Sequence, residues 1–191
     1  MSVSNDPPRV TGMEMQFLNP ITKKEIPAYM TSAEYVLQER FKGERLLIQK
    51  TGDQIQACDS RQSVVGLLPP IEKSIALFET DFIIDGIVVG EVFHVFDILI
   101  IDTEDLRSKV YLKRLSYLDF LFETKMWAQK NIEMVQSFQR LPLKVEAYKK
   151  FRREKAGVVF KNRNAPYVAG RPTRGGFQVE YSFGICRPKK P

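Results

Sequence analysis

The chain has 191 residues, 43% hydrophobic and 27% charged, with 13 Phe and 7 Tyr to fill a core; this ordinary globular composition excludes wholesale disorder. The length is short for two ordinary domains, so one folding unit is expected. With 29 Lys and Arg against 23 Asp and Glu the net charge is +6, which favours polyanionic partners, and no apolar run reaches the roughly 20 residues of a membrane span.

Residues 1–30 carry Pro7, Pro8, Pro20 and Pro27 among polar residues and predict a loop-rich approach to the domain. They show neither the basic nor the apolar region of a signal peptide, so a soluble, intracellular protein is expected. From Tyr35 an alternating pattern breaks at Gly43 and resumes, as two strands or one bent strand would. Thr51-Gly-Asp-Gln is a turn into Ile55-Gln-Ala-Cys. Cys58 and the distant Cys186 lack metal-ligand spacing and read as reduced, buried residues.

Pro69 and Pro70 sit where a helix tolerates them, ahead of helical spacing at Ile71, Ile75 and Phe78. Phe82 to Val89 and Val92 to Ile101 are β-branched and aromatic runs around Gly90-Glu91, which predicts a strand pair. Helical periodicity follows over Leu112 to Phe122 and again from Met126 to Phe138, with Trp127 as a packing anchor. After Pro142 comes the basic run Lys149, Lys150, Arg152, Arg153, then strands at Gly157 to Lys161 and Gly176 to Phe183. Strands, then helices, then strands predict an α+β fold of mainly antiparallel sheets. The expected division is a loop-rich segment 1–30, a domain over 31–185, and a basic tail 186–191.

Four segments, in order, resemble the signatures of the covalent nucleotidyltransferases, and of ATP-dependent DNA ligases in particular. Glu39-Arg-Phe-Lys-Gly-Glu-Arg45 stands against E-K-x-D-G-x-R. Phe82-Ile-Ile-Asp-Gly-Ile with Val95-Phe-Asp-Ile-Leu stands against a hydrophobic run, D-G-E and F-D-I-L. Ala156-Gly-Val-Val-Phe-Lys161 stands against E-G-V-V-F-K, and Gly176 to Phe183 against the closing K-x-K segment. Asp105-Leu-Arg, Lys113-Arg-Leu and Asn164-Ala-Pro-Tyr-Val-Ala-Gly-Arg-Pro are also phrases typical of these ligases. The resemblance covers about Glu34 to Phe183 and implies a ligase-type nucleotidyltransferase core. Only eight residues follow Phe183, so no OB-fold domain is expected.

In that family a lysine attacks the ATP α-phosphate, which requires an amine nucleophile, carboxylates for the metal and cations for the phosphates. Here the lysine slot holds Arg40, a guanidinium that stays protonated and has no nucleophilic lone pair. The following aspartate slot is Lys42, the two glutamate slots are Ile87 and Ala156, and the K-x-K lysines are Glu180 and Ser182. An apolar Ile87 is no ligand for a hard cation. No catalytic residue, metal or cofactor is therefore expected, and the chain reads as a pseudoenzyme.

Under an alternative reading, a minimal ligase would use ATP and Mg²⁺ with Lys42 as a displaced nucleophile. Lys42 would share a strand face with Arg40, and Glu154 or Glu91 would return a carboxylate. Glu39, Arg45, Phe96 and Lys161 remain as remnants of the nucleotide site, and Asp97, Arg171 and Gln178 are also family-like. Phe96 reads as core packing or base stacking, Lys161 as a solvated strand end or a phosphate contact, and His94 as a strand residue without chemistry. Lys149, Lys150, Arg152, Arg153, Arg171, Arg174, Arg187, Lys189 and Lys190 are candidates for nucleic-acid binding, beside the plain alternative of a solvated face. The expected role is a nucleic-acid-binding or protein-interaction module, with a structural or regulatory subunit lacking nucleic-acid contact as the remaining reading. DNA or another nucleic acid is the first expected partner, a protein the second, and a membrane is excluded.

Overall fold

The computed structural model describes residues 10, 12–123, 130–172 and 178–183. In chain order the first half holds β1 (Asn19–Pro20), α1 (Ile26–Thr31), β2 (Tyr35–Arg40), β3 (Glu44–Thr51), β4 (Gln54–Asp59), β5 (Val64–Val65), α2 (Pro69–Ala76), β6 (Phe82–Val89) and β7 (Val92–Ile101). The second half adds β8 (Glu104–Asp105), α3 (Tyr111–Glu123), β9 (Ile132–Met134), α4 (Leu141–Arg153), β10 (Gly157–Asn162) and β11 (Gln178–Ser182). They build two mainly antiparallel sheets, ordered β1-β11-β10-β2 and β5-β4-β3-β6-β7-β8, with β9 beside β7.

The break at Gly43 is where the chain passes from the first sheet to the second. A Cβ there would collide with the Val88 carbonyl, so only glycine lets β3 enter beside β6. Alternation then sorts the side chains by face. In the second sheet, Leu46, Ile48, Phe82, Ile84, Phe93 and Val95 pack with α2 and α3 through Ile71, Ile75, Leu118 and Phe122. Leu47, Cys58, Ile83 and Leu99 face the other way, onto Val10, Met13, Met15 and Tyr167. In the first sheet, Leu37, Val158, Phe160 and Val179 bury against Ile26, Met30, Ala147 and Phe151 of α1 and α4. Lys144 of α4 is buried too, and its Nζ donates to the Ser32 carbonyl at 2.8 Å, satisfying the end of α1.

Three stretches differ from the sequence reading. In the expected loop-rich segment 1–30, of which residues 10 and 12–30 are described, Val10, Met13 and Met15 are core residues and Pro27 lies in the first turn of a short helix. The helix expected over Met126–Phe138 does not extend through the described part, residues 130–138. Instead Ile132–Met134 pairs parallel with Phe93–Val95, and Phe138 bridges to Leu37 of β2. The segment thus ties the two sheets together, because the first half of β7 offers an unpaired edge that outweighs local helical periodicity. Trp127 lies outside the described residues. Finally, Leu141–Arg153 is a helix that opens on Pro142, a stretch to which the sequence reading gave no element.

Candidate active-site cleft

A cleft of about 530 Å³ opens between the sheets. One wall is the face of the first sheet opposite α1 and α4. Its register sets Gly157 beside Arg40 and Ser182, and Val159 beside Gln38 and Glu180; Lys161 lies beside Gln178. Arg45, Ile87 and Phe96 form the facing wall, and Phe17 and Leu18 close one side. Sequence-marked residues therefore converge: Arg40, Lys42, Ile87, Glu180 and Ser182 from the altered slots, and Arg45, Phe96, Lys161, Arg171 and Gln178 from the family-like set.

Two altered slots form one unit. Arg40 Nε donates to Glu180 Oε2 at 2.6 Å, and each side chain is about a quarter exposed, at 27% and 26%. The guanidinium starts on β2 and reaches β11 by crossing β10 over Gly157, where a Cβ would come within 2.7 Å of Arg40 Cδ. The cation in the nucleophile slot is thus held by the carboxylate that stands in a lysine slot.

Arg45 and the buried charges behind it are paired as well. Arg45 meets Asp85 through two bonds, Nε to Oδ1 at 3.0 Å and Nη2 to Oδ2 at 2.7 Å, and Tyr167 donates its hydroxyl to the same carboxylate at 3.0 Å. Burial disfavours a charged guanidinium, but the Asp85 charge overrides it and raises the Arg45 pKa. Arg45 also faces the Phe96 ring at 5.2 Å and the Phe17 ring at 5.8 Å. Behind this layer Asp97, 1% exposed, takes two bonds from Arg114, at 2.8 and 3.0 Å.

Lys161 is buried at the back of the cleft. Its Nζ donates to the Phe96 carbonyl at 3.2 Å and lies 3.7 Å from Asp97. It also sits over the rings of Phe96 and Tyr111, at 4.2 and 4.5 Å. Burial pulls its pKa down to about 8, against the opposing pull of Asp97 and Asp85. Lys161 is thus neither a solvated strand end nor a free surface cation. Burial likewise raises the Tyr111 pKa well above its ordinary value, with the Asp97 charge adding to it. Gln178 is 3% exposed, and its side-chain amide nitrogen has no hydrogen-bond partner among the described residues.

Other marked residues lie elsewhere. Glu39 touches the cleft edge, but alternation turns its side chain to the α4 side. There burial raises its pKa, Glu154 adds to the rise and Lys150 opposes it. Ala156 packs with the cluster under α1 and α4. Lys42 does not share a strand face with Arg40: β2 ends at Arg40, and Lys42 lies exposed in the connection to β3. Glu91 sits in the turn between β6 and β7, and Glu154 caps α4. Lys149, Lys150, Arg152 and Arg153 are exposed on α4, away from the cleft. Arg171 lines the cleft and donates to the Leu18 carbonyl. Arg174, Cys186, Arg187, Lys189 and Lys190 lie outside the described residues. His94, read as a plain strand residue, stacks on Phe41 of the inter-sheet connection at 4.1 Å. Burial lowers its pKa, against the pull of Glu133.

Ile87 brings no oxygen to the cleft, and the nearby carboxylates Asp85 and Asp97 are each clasped by an arginine. Among the described residues no three His, Cys, Asp or Glu side chains gather to hold a metal. The sequence reading did not single out Tyr111, Arg114 or Tyr167 as site residues. Arg114 carried a usable signal, because a charge in the apolar stripe of Tyr111, Leu115 and Leu118 demands a buried carboxylate partner.

No family model and no curated protein matches the chain. Solved structures do. A mycobacterial DNA ligase D complexed with ATP and MES matches with a TM-score of 0.72 and 16% identity over 90% of this chain and 60% of that one. The ligase domain of LigD from M. tuberculosis matches with 0.72 and 16%, covering 91% and 62%. A Lig E DNA ligase, from a structure-function study of DNA binding with a minimal scaffold, matches with 0.60 and 15%, covering 89% and 68%. At these identities the likeness is one of fold: an α+β, ligase-type nucleotidyltransferase core, as the sequence motifs implied. The chain spans about 60% of the length of the first two structures. No helix among the described residues is long and apolar enough to cross a membrane.

Proposed function

We propose that this chain is a DNA-ligase-like domain that no longer transfers adenylate and serves as a nucleic-acid-binding module. The Arg40–Glu180 pair carries the first half of this reading. Adenylate transfer needs a neutral amine poised at the α-phosphate, cations on the phosphates and a metal to offset the developing charge. Here a permanently protonated guanidinium occupies the nucleophile slot, with a carboxylate 2.6 Å away where the phosphates would be received. Lys42 is off the strand, and neither Glu91 nor Glu154 is among the cleft residues.

The second half rests on the fold and the charge. The structural neighbours are DNA ligases, and backbone contact needs neither nucleophile nor metal. A net +6 supplies the cations for sequence-tolerant, salt-dependent binding. Incubation with α-labelled ATP and Mg²⁺ or Mn²⁺ tests the first half: no covalent adduct is expected, and an acid-labile adduct mapped to Lys42 would overturn it. A mobility-shift titration with a short duplex across a salt series tests the second. Binding should fall on the order of 10³-fold between 50 and 200 mM salt if about six phosphates are neutralised, and absence of binding at 50 mM would refute it.

A further inference from the structure

We infer that the nucleic-acid contact surface is the exposed face of α4, on the side of the first sheet away from the cleft, with Lys149, Arg152 and Arg153 as its phosphate-binding cations. This rests on the nucleic-acid reading above and says where on the molecule that binding takes place.

The first argument is how the cations are already engaged. In the cleft, Arg40 is held by Glu180, Arg45 by Asp85, Lys161 by the Phe96 carbonyl and Asp97, and Arg171 donates to Leu18. A cation already held by a carboxylate has little net attraction left for a phosphate. Among the described residues that line the cleft, Lys42 and Arg171 have no carboxylate partner, and Arg171 is engaged by the Leu18 carbonyl. On α4 the situation is reversed. Among the described residues, Lys149, Lys150, Arg152 and Arg153 form no hydrogen bond through their side chains and no ion pair within 4 Å. Lys150 has Glu39 as a charged neighbour, which leaves Lys149, Arg152 and Arg153 the more available.

The second argument is geometric. Lys144, Ala147 and Phe151 anchor one side of α4 in the core. Residues 149, 152 and 153 are three and four positions apart, so they share the opposite side over about 6 Å of helix. With Glu146 they line an open hollow of about 570 Å³, in which one carboxylate faces three cations. The terminal carbonyls of α4 do not use these side chains, since backbone N–H groups of Glu154 and Lys155 bond to Lys150 and Arg152. Favourable interaction with the helix dipole, on the order of 0.3–1 kcal/mol per cation, explains some positive charge here. It does not explain why the charge continues back to Lys149, more than a turn before the end.

The chemistry of the face suits a phosphate backbone rather than a lipid surface. Residues 146, 149, 152 and 153 are all charged, and the exposed Leu141 and Leu143 sit at the other end of the helix, about 12 Å away at 1.5 Å per residue. A membrane-seated helix would set its apolar side chains along the basic face.

Duplex binding is compared for the wild type, for Lys149→Gln/Arg152→Gln/Arg153→Gln, and for Lys42→Gln in the cleft, each across 50–200 mM salt. Circular dichroism verifies that the variants fold, as expected for exposed positions. Each phosphate contact contributes about 0.9 to the slope of log affinity against log salt. The α4 variant should therefore lose about three from that slope and at least tenfold in affinity at 100 mM, while Lys42→Gln stays within twofold to threefold. A wild-type slope retained by the α4 variant overturns the inference and leaves the nucleic-acid reading intact. A wild type that binds no duplex at 50 mM fells the parent reading itself. Binding to vesicles of anionic phospholipid without duplex binding assigns the face to a lipid surface and overturns the inference as well.

Discussion

Lys161→Met should remove a pH dependence of stability that the buried amine imposes on the whole fold. In the folded chain the Lys161 amine has a pKa of about 8, against an ordinary 10.5, chiefly because burial opposes its charge. Between those two values the unfolded chain binds the extra proton, so this group makes stability rise with pH. The gap corresponds to about 3 kcal/mol at 1.36 kcal/mol per pH unit. The cost is fully present below pH 8 and is relieved as pH climbs towards 10.5. About 1 kcal/mol of it is recovered between pH 7 and pH 9, a range in which most proteins survive denaturant titration. Urea unfolding of wild type and Lys161→Met at pH 7, 8 and 9 gives the difference in stability at each pH, and other titrating groups cancel in that difference. The wild type should gain about 1 kcal/mol on the variant across the series. A flat difference would refute the argument and show that Phe96, Tyr111 and Asp97 hold the ammonium as comfortably as water does.

Arg40→Lys on its own should not restore a nucleotide adduct with labelled ATP, because Ile87 and Glu180 still line the cleft with an apolar side chain and a carboxylate in place of a metal ligand and a phosphate-binding cation; an adduct would place the whole loss at one residue. Gly157→Ala should cost about 1–3 kcal/mol by overpacking, since the added carbon would lie 2.6 Å from the Tyr181 carbonyl and 2.7 Å from Arg40 Cδ; a change below 0.5 kcal/mol in urea unfolding would mean that Arg40 swings away freely. Arg114→Met should cost about 3–5 kcal/mol by stranding the buried Asp97 carboxylate. The double variant with Asp97→Asn should recover part of that loss, and strict additivity in thermal unfolding would contradict a coupled pair.

The sequence carried the strand pair Phe82–Ile101, the strand Gly157–Lys161 and the passage at Gly43, because each is set by local alternation or by one glycine. It could not carry β9. Ile132, Val135 and Phe138 have helical spacing, and their extended path depends on a free edge of β7 and on a bridge to Leu37, neither of which is a local property. The altered slots were legible one by one, since motif order places Arg40 and Glu180 in the family pattern. That they contact each other was not, because contact depends on the β2–β10–β11 register and on the lack of a side chain at Gly157. Glu39 shows the same limit: its neighbour Arg40 points into the cleft, and one step of alternation sends Glu39 to α4.

The mutual dependence of Arg40 and Glu180 gives the last expectation. Had only the lysine slot changed, the cleft floor would hold a guanidinium beside the basic residues of the closing segment. Glu180 turns that repulsion into attraction, so the two replacements are complementary in charge. Glu180→Lys, which returns the family residue, should therefore destabilise this chain by setting two cations at ion-pair distance. At an effective dielectric between that of water and that of a protein surface, opposite charges 4 Å apart gain about 1–4 kcal/mol. For groups about a quarter exposed the lower end applies, so losing the attraction and adding repulsion should together cost about 2 kcal/mol. Arg40→Gln/Glu180→Lys should regain roughly the repulsive half, since an uncharged amide tolerates the new ammonium. Urea unfolding of the four corners of this cycle at low salt, repeated at 0.5 M NaCl, would read the coupling and its screening. A Glu180→Lys chain as stable as the wild type, with no salt dependence, would show that the pair is incidental and that the slots drifted independently.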